Sequence, residues 1–373
     1  MSRSALRLAA FFLAVEGCGS SAQAPSPSNC TGNVACTPAN PCKLGLVSCS
    51  SGAPVCAESS ESREDGWPCG SGGTCRAGAC GLMAGTVVEF PLPVADRQPT
   101  AVVRGADGNI WFTEAGSIGR ATPSGVLSEF AVPSGDAVLP GIAAAKDGTL
   151  WFTEASANQI GRATPLGQIT EFPIATAGAQ PQGIAADVGG DLWFTELGVG
   201  RLGGVTQAGS MSEIQYTDAP TRPDGVAVAS DGAVWFTDQL GAFGVLTETG
   251  VTLRPLLLAA GGHYGIAAGP DRNLWCTETE GGKIYRLTPS GGMTAFVLSS
   301  VTSEPHGITA GPDGNVWFTE AGSNAIGKIT PEGDITEYPL PSPDSEPWEI
   351  TAGPDGNLWF TERLGNRIAL IVP

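Results

Sequence analysis

The sequence predicts an all-β protein built around a seven-bladed β-propeller, and three observations carry that expectation. A tryptophan-centred hexapeptide recurs seven times: NIWFTE at Trp111, TLWFTE at Trp151, DLWFTE at Trp193, AVWFTD at Trp235, NLWCTE at Trp275, NVWFTE at Trp317 and NLWFTE at Trp359. The tryptophans stand 40, 42, 42, 40, 42 and 42 residues apart, a period that marks an array of like supersecondary units. Within each unit, four short β-branched or aromatic runs are bounded by Gly, Pro, Asp or Asn, which reads as four strands. No stretch sustains helical periodicity.

The four strands follow in order. P-x-G-I opens the innermost strand, and a G-P-D-G turn leads into N-L-W-F-T-E. The pairs Asp107-Gly108, Asp313-Gly314 and Asp355-Gly356 suit this turn, because glycine takes the positive φ that a tight hairpin needs. The L-W-F run is apolar on both faces, as expected of a strand sandwiched between neighbouring blades. N-x-I-G-R-I-T-P supplies the third strand and G-x-I-T-E-F-P-L-P the fourth. The last unit ends at NRIALIVP without a fourth strand, while TVVEFPLP, from Thr86 to Pro93, precedes the first unit and matches one. The N-terminal strand is therefore expected to complete the last blade and close the ring, leaving no open edge.

Ahead of the propeller, expected over residues 85–373, two further segments are expected. Residues 1–24 read as a signal segment and lipoprotein-type linker: Arg3 and Arg7 precede the apolar run LAAFFLAV, which is too short to span a bilayer. Cleavage after Ala24 would satisfy A-x-A but leaves Pro25 next to the cut. Val15-Glu16-Gly17-Cys18, followed by Gly-Ser-Ser, resembles a bacterial lipoprotein signal, with Glu16 unusual for it. The lipoprotein form is favoured. Residues 25–84 hold eight of the ten cysteines, which in an exported chain implies four disulfides stapling a loop-rich module. A zinc site is disfavoured, since no C-x2-C pair and no histidine lies there. Its end, GWPCGSGGTCRAGAC, resembles disintegrin-like and other small Cys-rich extracellular modules. Trp67 reads as that module's apolar anchor, and Cys276, in place of the usual phenylalanine, as a buried inert thiol.

Composition narrows the partners. Acids outnumber bases 37 to 19, for a formal charge of −18. Such a chain repels phosphate backbones and anionic headgroups, so nucleic acid is excluded and membrane contact is expected only through a lipid on Cys18. A monomer exported to the cell envelope, or secreted, is the expected form. There is no P-loop, no G-x-S-x-G and no H-E-x-x-H.

The repeat supplies its own control for function. A residue in every blade is architecture, and one that breaks the pattern is a candidate for chemistry. The acid of W-F-T-E (Glu114, Glu154, Glu196, Asp238, Glu278, Glu320, Glu362) recurs in all seven, so a repeated structural hydrogen bond is its plain explanation. The x of P-x-G-I varies instead: Thr100, Pro140, Gln182, Asp224, Tyr264, His306 and Trp348. The start of the first strand and the end of the second share one face of the propeller. Asp224, His263, Tyr264, Glu304, His306, Glu320, Glu346, Trp348 and Glu362 are all expected there. Carboxylates and a histidine round a central cleft suit a hard cation such as Mg²⁺ and a proton-abstracting base.

The run GPDGNLWFTE, with the N-x-I-G and I-T-E-F-P-L-P segments that follow it, resembles the streptogramin B lyases, the virginiamycin B lyase family, across residues 86–373. The resemblance implies Mg²⁺-dependent opening of a cyclic depsipeptide by elimination, a carbon–oxygen lyase reaction in which a histidine is the proton-abstracting base. It also implies one histidine in blade six, a catalytic E-P-H-G-I in blade seven and a metal-binding glutamate just after blade seven's second strand. Here blade seven reads SEPWEI: Trp348 stands at the position of the base, Glu346 keeps the preceding acid, and Arg363 stands where the metal-binding acid is implied. Tryptophan cannot take a proton at neutral pH. E-P-H-G-I itself occurs in blade six. A site rotated by one blade would use His306 and Glu304 as catalytic residues, and Glu320 and Glu362 on the metal. His263, Tyr264, Trp348 and Asp224 would then contact substrate. The alternative is a non-catalytic propeller presenting this face to a glycan, peptide or protein; either way the partner is a small-molecule or peptide-like ligand.

Overall fold

The computed structural model describes residues 82–373, apart from 218–219, 248–249 and 256–264, and the backbone of six strands between residues 35 and 82. The chain divides into two compact units, residues 1–86 and 87–373. In the first, Ala35–Cys36, Lys43–Ser48 and Val55–Ser62 form one antiparallel sheet, and Pro68–Cys69, Gly73–Arg76 and Ala79–Leu82 another. The expected disulfides, Cys18 and Trp67 lie outside the described residues.

The second unit is a seven-bladed β-propeller of four-stranded antiparallel sheets. Blade six is representative: Pro305–Ala310, Val316–Glu320, Ala325–Ile329 and Ile335–Pro339 pair in that order. In the sheet of blade seven, Pro347–Ala352, Leu358–Glu362 and Arg367–Ile371 are joined by Val87–Pro91, with Ala369 opposite Glu89. Among the described residues there is no helix, and none long and apolar enough to cross a membrane.

The W-F-T-E strand is buried along its whole length, save for the half-buried Trp193 of blade three, because a neighbouring blade covers each face. Trp111, Trp151, Trp275, Trp317 and Trp359 are fully buried, as are the phenylalanines beside them where these occur. Burying an indole leaves its N–H in need of a partner. The Asp of the preceding turn meets it: Trp317 Nε1 donates to Asp313 Oδ1 at 3.0 Å, and Trp275 Nε1 to Asp271 Oδ1 at 3.0 Å. The following turn residue adopts the left-handed backbone, at φ 78–80° for Gly108, Gly314 and Gly356, and Arg272 takes the same region at 66° in blade five. The turn thus does two jobs, closing the hairpin and satisfying the core.

Blades are tied to one another by the glutamate of the outermost strand. Glu171 accepts the backbone N–H of Ser134 at 2.7 Å, from the loop leaving the preceding blade. Glu89 accepts the N–H and hydroxyl of Ser342 in the same way. These ties hold in place the loops that carry the variable residues.

Candidate ligand cleft

A repeated pair of hydrogen bonds sets the variable residue of each blade beside that of the next. The Gly307 N–H donates to Thr319 Oγ1 at 2.9 Å, and Thr319 Oγ1 donates to the Trp348 carbonyl of blade seven at 2.7 Å. Thr277 likewise reaches the His306 carbonyl at 2.7 Å, and Thr361 the Thr100 carbonyl of blade one at 2.7 Å. The threonine of W-F-T-E is therefore the residue that orders the column.

In blades three, four, six and seven the variable residue lies within a β-bulge rather than ahead of the strand. Pro305 pairs with Glu320 but Ile308 with Phe318, so His306 and Gly307 have one residue between them opposite. A bulge re-aims its side chains. Gln182, Asp224, His306 and Trp348, with Thr100 and Pro140 from the loops ahead of their strands, line one cleft of about 280 Å³. His263 and Tyr264 lie outside the described residues.

Trp348 is sandwiched. The His306 and Trp348 ring centres are 3.5 Å apart with an interplanar angle of 30°, and the Arg363 guanidinium carbon is 4.0 Å from the same indole centre. Two groups that close to one ring centre cannot share a face without overlapping, so they cover opposite faces. Arg363 is held in turn by Glu346: Nε donates to Oε2 at 2.7 Å and Nη2 to Oε1. This is the bidentate fork geometry that makes Arg–carboxylate pairs strong. Glu346, His306, Trp348 and Arg363 thus form one interlocked stack, all half-buried.

Other nominated residues lie elsewhere. Glu304 is exposed, packs over Gly322 and does not line the cleft. Its backbone is left-handed at φ 49°, but so are Gln98, Gln180 and Glu346 in the same column, at 45°, 49° and 53°. That conformation belongs to the repeat. Glu320 and Glu362 are fully buried at the ends of their strands. Glu362 meets Arg367 at 3.2 Å, and Glu320 lies beside Ser303 and Ser323. Burial pushes the carboxyls of Glu114, Glu154, Glu196 and Glu320 up to about 7.

These positions do not fit a Mg²⁺ centre. Such a centre takes carboxylate oxygens converging on a hydrated ion. Both oxygens of Glu346 are engaged by Arg363, while Glu320 and Glu362 are enclosed in their blades. Among the described residues no three His, Cys, Asp or Glu side chains are placed to hold one metal ion.

One residue at the cleft was missed from the sequence. Glu349 follows Trp348 at the column that reads Ala101, Gly141, Gly183, Gly225, Gly265 and Gly307 in the other blades. It lines both the cleft and a narrower channel of about 130 Å³ beneath it. Walled by protein yet open to the lumen, its carboxyl is pushed up to about 7, chiefly by burial and further by Asp224, against a backbone hydrogen bond from Ile350. The break in the glycine column was the available signal. Cys276 is buried with its thiol free, and burial pushes it up to about 12.

A profile of the virginiamycin B lyase family matches residues 76–260 and 251–373. Among solved structures, a streptogramin B lyase is 37% identical over 76% of this chain and 96% of that chain, with a TM-score of 0.72. Virginiamycin B lyase from Staphylococcus aureus is 34% identical over 77% of this chain and 99% of that chain, at 0.73. A catalytically inactive histidine-to-alanine variant of that enzyme, solved with quinupristin, matches with the same identity, coverage and TM-score. No curated protein sequence matches the chain.

Proposed function

The chain belongs to the virginiamycin B lyase family, and from that premise we propose that it is a ligand-binding member, which holds a peptide-like ligand on its cleft face without opening it. The observation that carries this is the Glu346–Arg363–Trp348–His306 stack. Where the family resemblance implies a base, this chain has an indole clamped between a guanidinium and an imidazole. The preceding acid, Glu346, is neutralised by that guanidinium. What remains is a rigid aromatic wall in a concave site, the kind of surface that binds through contact area at small entropic cost. The inactive S. aureus variant, solved with quinupristin, supports a separation of binding from turnover in this family.

One observation favours elimination instead. His306 stands in an intact E-P-H-G-I and lines the cleft. In that reaction His306 takes a proton from the carbon adjacent to the one that bears the ester's alkyl oxygen, the electron pair forms the double bond between those two carbons, and the alkyl–oxygen bond breaks to release a carboxylate.

The chain is further proposed to be exported, with a lipid on Cys18 and a disulfide-stapled spacer before the propeller. The Leu8–Val15 apolar run and the eight clustered cysteines support this.

Calorimetric titration of the full chain with quinupristin tests the binding proposal. Saturable binding that weakens in Trp348→Ala is expected; no heat of binding would reject it.

A further inference from the structure

We propose that the channel end of the cleft is a subsite for a protonated amine, and that Glu349 is the residue that selects for its charge. The inference rests on the ligand-binding proposal and specifies the ligand's chemistry.

The inner wall explains where Glu349 points. At this column the chains of adjacent blades approach so closely that a Cβ on Gly307 would lie 2.7 Å from the Glu349 Cα, and one on Gly265 would lie 2.3 Å from the His306 carbonyl oxygen. Glu349 Oε2 lies 2.7 Å from the same Cβ position on Gly307, so the carboxylate occupies the space that the missing side chain of Gly307 leaves, and from there it borders both the cleft and the channel. The channel is otherwise walled by glycine, alanine, proline, valine and isoleucine, and among the described residues Glu349 is the sole ionisable group lining it.

The charges round it do not satisfy it. Arg363 is the one cation lining the cleft among the described residues, and its fork is committed to Glu346. Asp224 adds a second negative charge across the lumen, with Gln239 Nε2 3.4 Å from its Oδ2. No ion pair involves Glu349 among the described residues. A walled carboxylate either holds a proton or needs a counter-charge. An ammonium entering the channel supplies that counter-charge and releases the proton; a neutral ligand does neither. Among the described residues no three His, Cys, Asp or Glu side chains are placed to hold one metal ion, so a compact ammonium donor is the ligand that fits.

The test uses benzylammonium and benzyl alcohol, a pair matched in ring and size but not in charge. Affinities for the full chain are read by calorimetry at pH 8, with Glu349→Gln as the isosteric variant and Glu349→Gly as the variant that restores the column residue. The intact chain is expected to prefer the amine at least about tenfold, the scale of one charge-assisted contact. Both variants are expected to lose the preference for the amine over the alcohol to within about twofold. Thermal melting checks that they fold. Amine affinity is also expected to fall from pH 8 to pH 5.5. His306, Asp224 and Arg363 line the same cleft, and Glu346 is paired with Arg363, so the share of that fall abolished by Glu349→Gln is the share owed to Glu349. Equal affinity of the intact chain for the two probes, or an amine preference that survives in both variants, would overturn the proposal. A quinupristin titration separates the failures. Quinupristin binding without amine preference removes the subsite alone, whereas no binding of any probe removes the binding proposal with it.

Discussion

The imidazole of His306 stacks on the indole of Trp348 with ring centres 3.5 Å apart. The two residues occupy the same position in successive blades, 42 residues apart, and the hydrogen bond from Thr319 to the Trp348 carbonyl fixes their spacing. The contact is therefore a product of the repeat, and only the identity of the side chains turns it into an aromatic wall.

Truncating that wall should cost affinity. Trp348→Ala is expected to weaken quinupristin binding at least about tenfold, as removal of a central aromatic anchor does. The fold should survive, because the indole is half-buried at a cleft and not in a blade core. Calorimetry with a parallel thermal melt checks both halves.

The Arg363–Glu346 fork should show a measurable coupling. Both side chains keep some exposure, 33% and 22%, so solvent screens the pair. A double-mutant cycle with Arg363→Met and Glu346→Gln is expected to give a coupling of about 1 kcal/mol by urea denaturation. Additive single-mutant effects would mean that the fork does not hold the stack.

Stability should fall as pH rises through neutrality. The carboxyls of Glu114, Glu154, Glu196 and Glu320 titrate at about 7 in the folded chain, against an ordinary value of 4.5. Between those values the folded state binds more protons than the unfolded state, so stability declines with pH over that window and levels off above it. Asp107, Asp271, Asp313 and Glu213 are held below their ordinary values. Their contribution is present above the ordinary carboxylate range and lost on acidification below it. A maximum near the lower edge of the window follows, with a loss of at least about 1 kcal/mol by pH 8. Urea denaturation from pH 4 to 8 checks this, and Glu320→Gln should flatten the decline.

Cys276 should be unreactive until the propeller opens. The thiol is buried and pushed up to about 12, so little thiolate exists at neutral pH. Iodoacetamide is expected to leave the Cys276 peptide unmodified in the native chain and to alkylate it in urea, as read by mass spectrometry.

Most of the architecture was legible in the sequence because a propeller writes each blade separately. The period located the W-F-T-E strands, and the break in the x column located Asp224, His306 and Trp348, which do share one cleft. Shared register does not disclose side-chain direction, and there the sequence ran short. Glu320 and Glu362 sit at the expected end of their strands but are enclosed within their own blades, beside Ser303 and Ser323 and beside Arg367, a packing fact that spacing alone does not disclose. Arg363 was legible as a residue unfavourable to a metal; its partner Glu346, 17 residues earlier on another segment, was not. Glu349 was hidden in a column that looked architectural, since six small residues obscured the significance of the seventh.

The most direct measurement is chromatographic: quinupristin incubated with the full chain, with Mg²⁺ or with EDTA, beside the His306→Ala variant. The peptide is expected to be recovered with its ring intact under every condition while still binding the chain. Ring opening that disappears in His306→Ala would contradict the binding account and establish an eliminating enzyme whose base lies one blade away from Trp348.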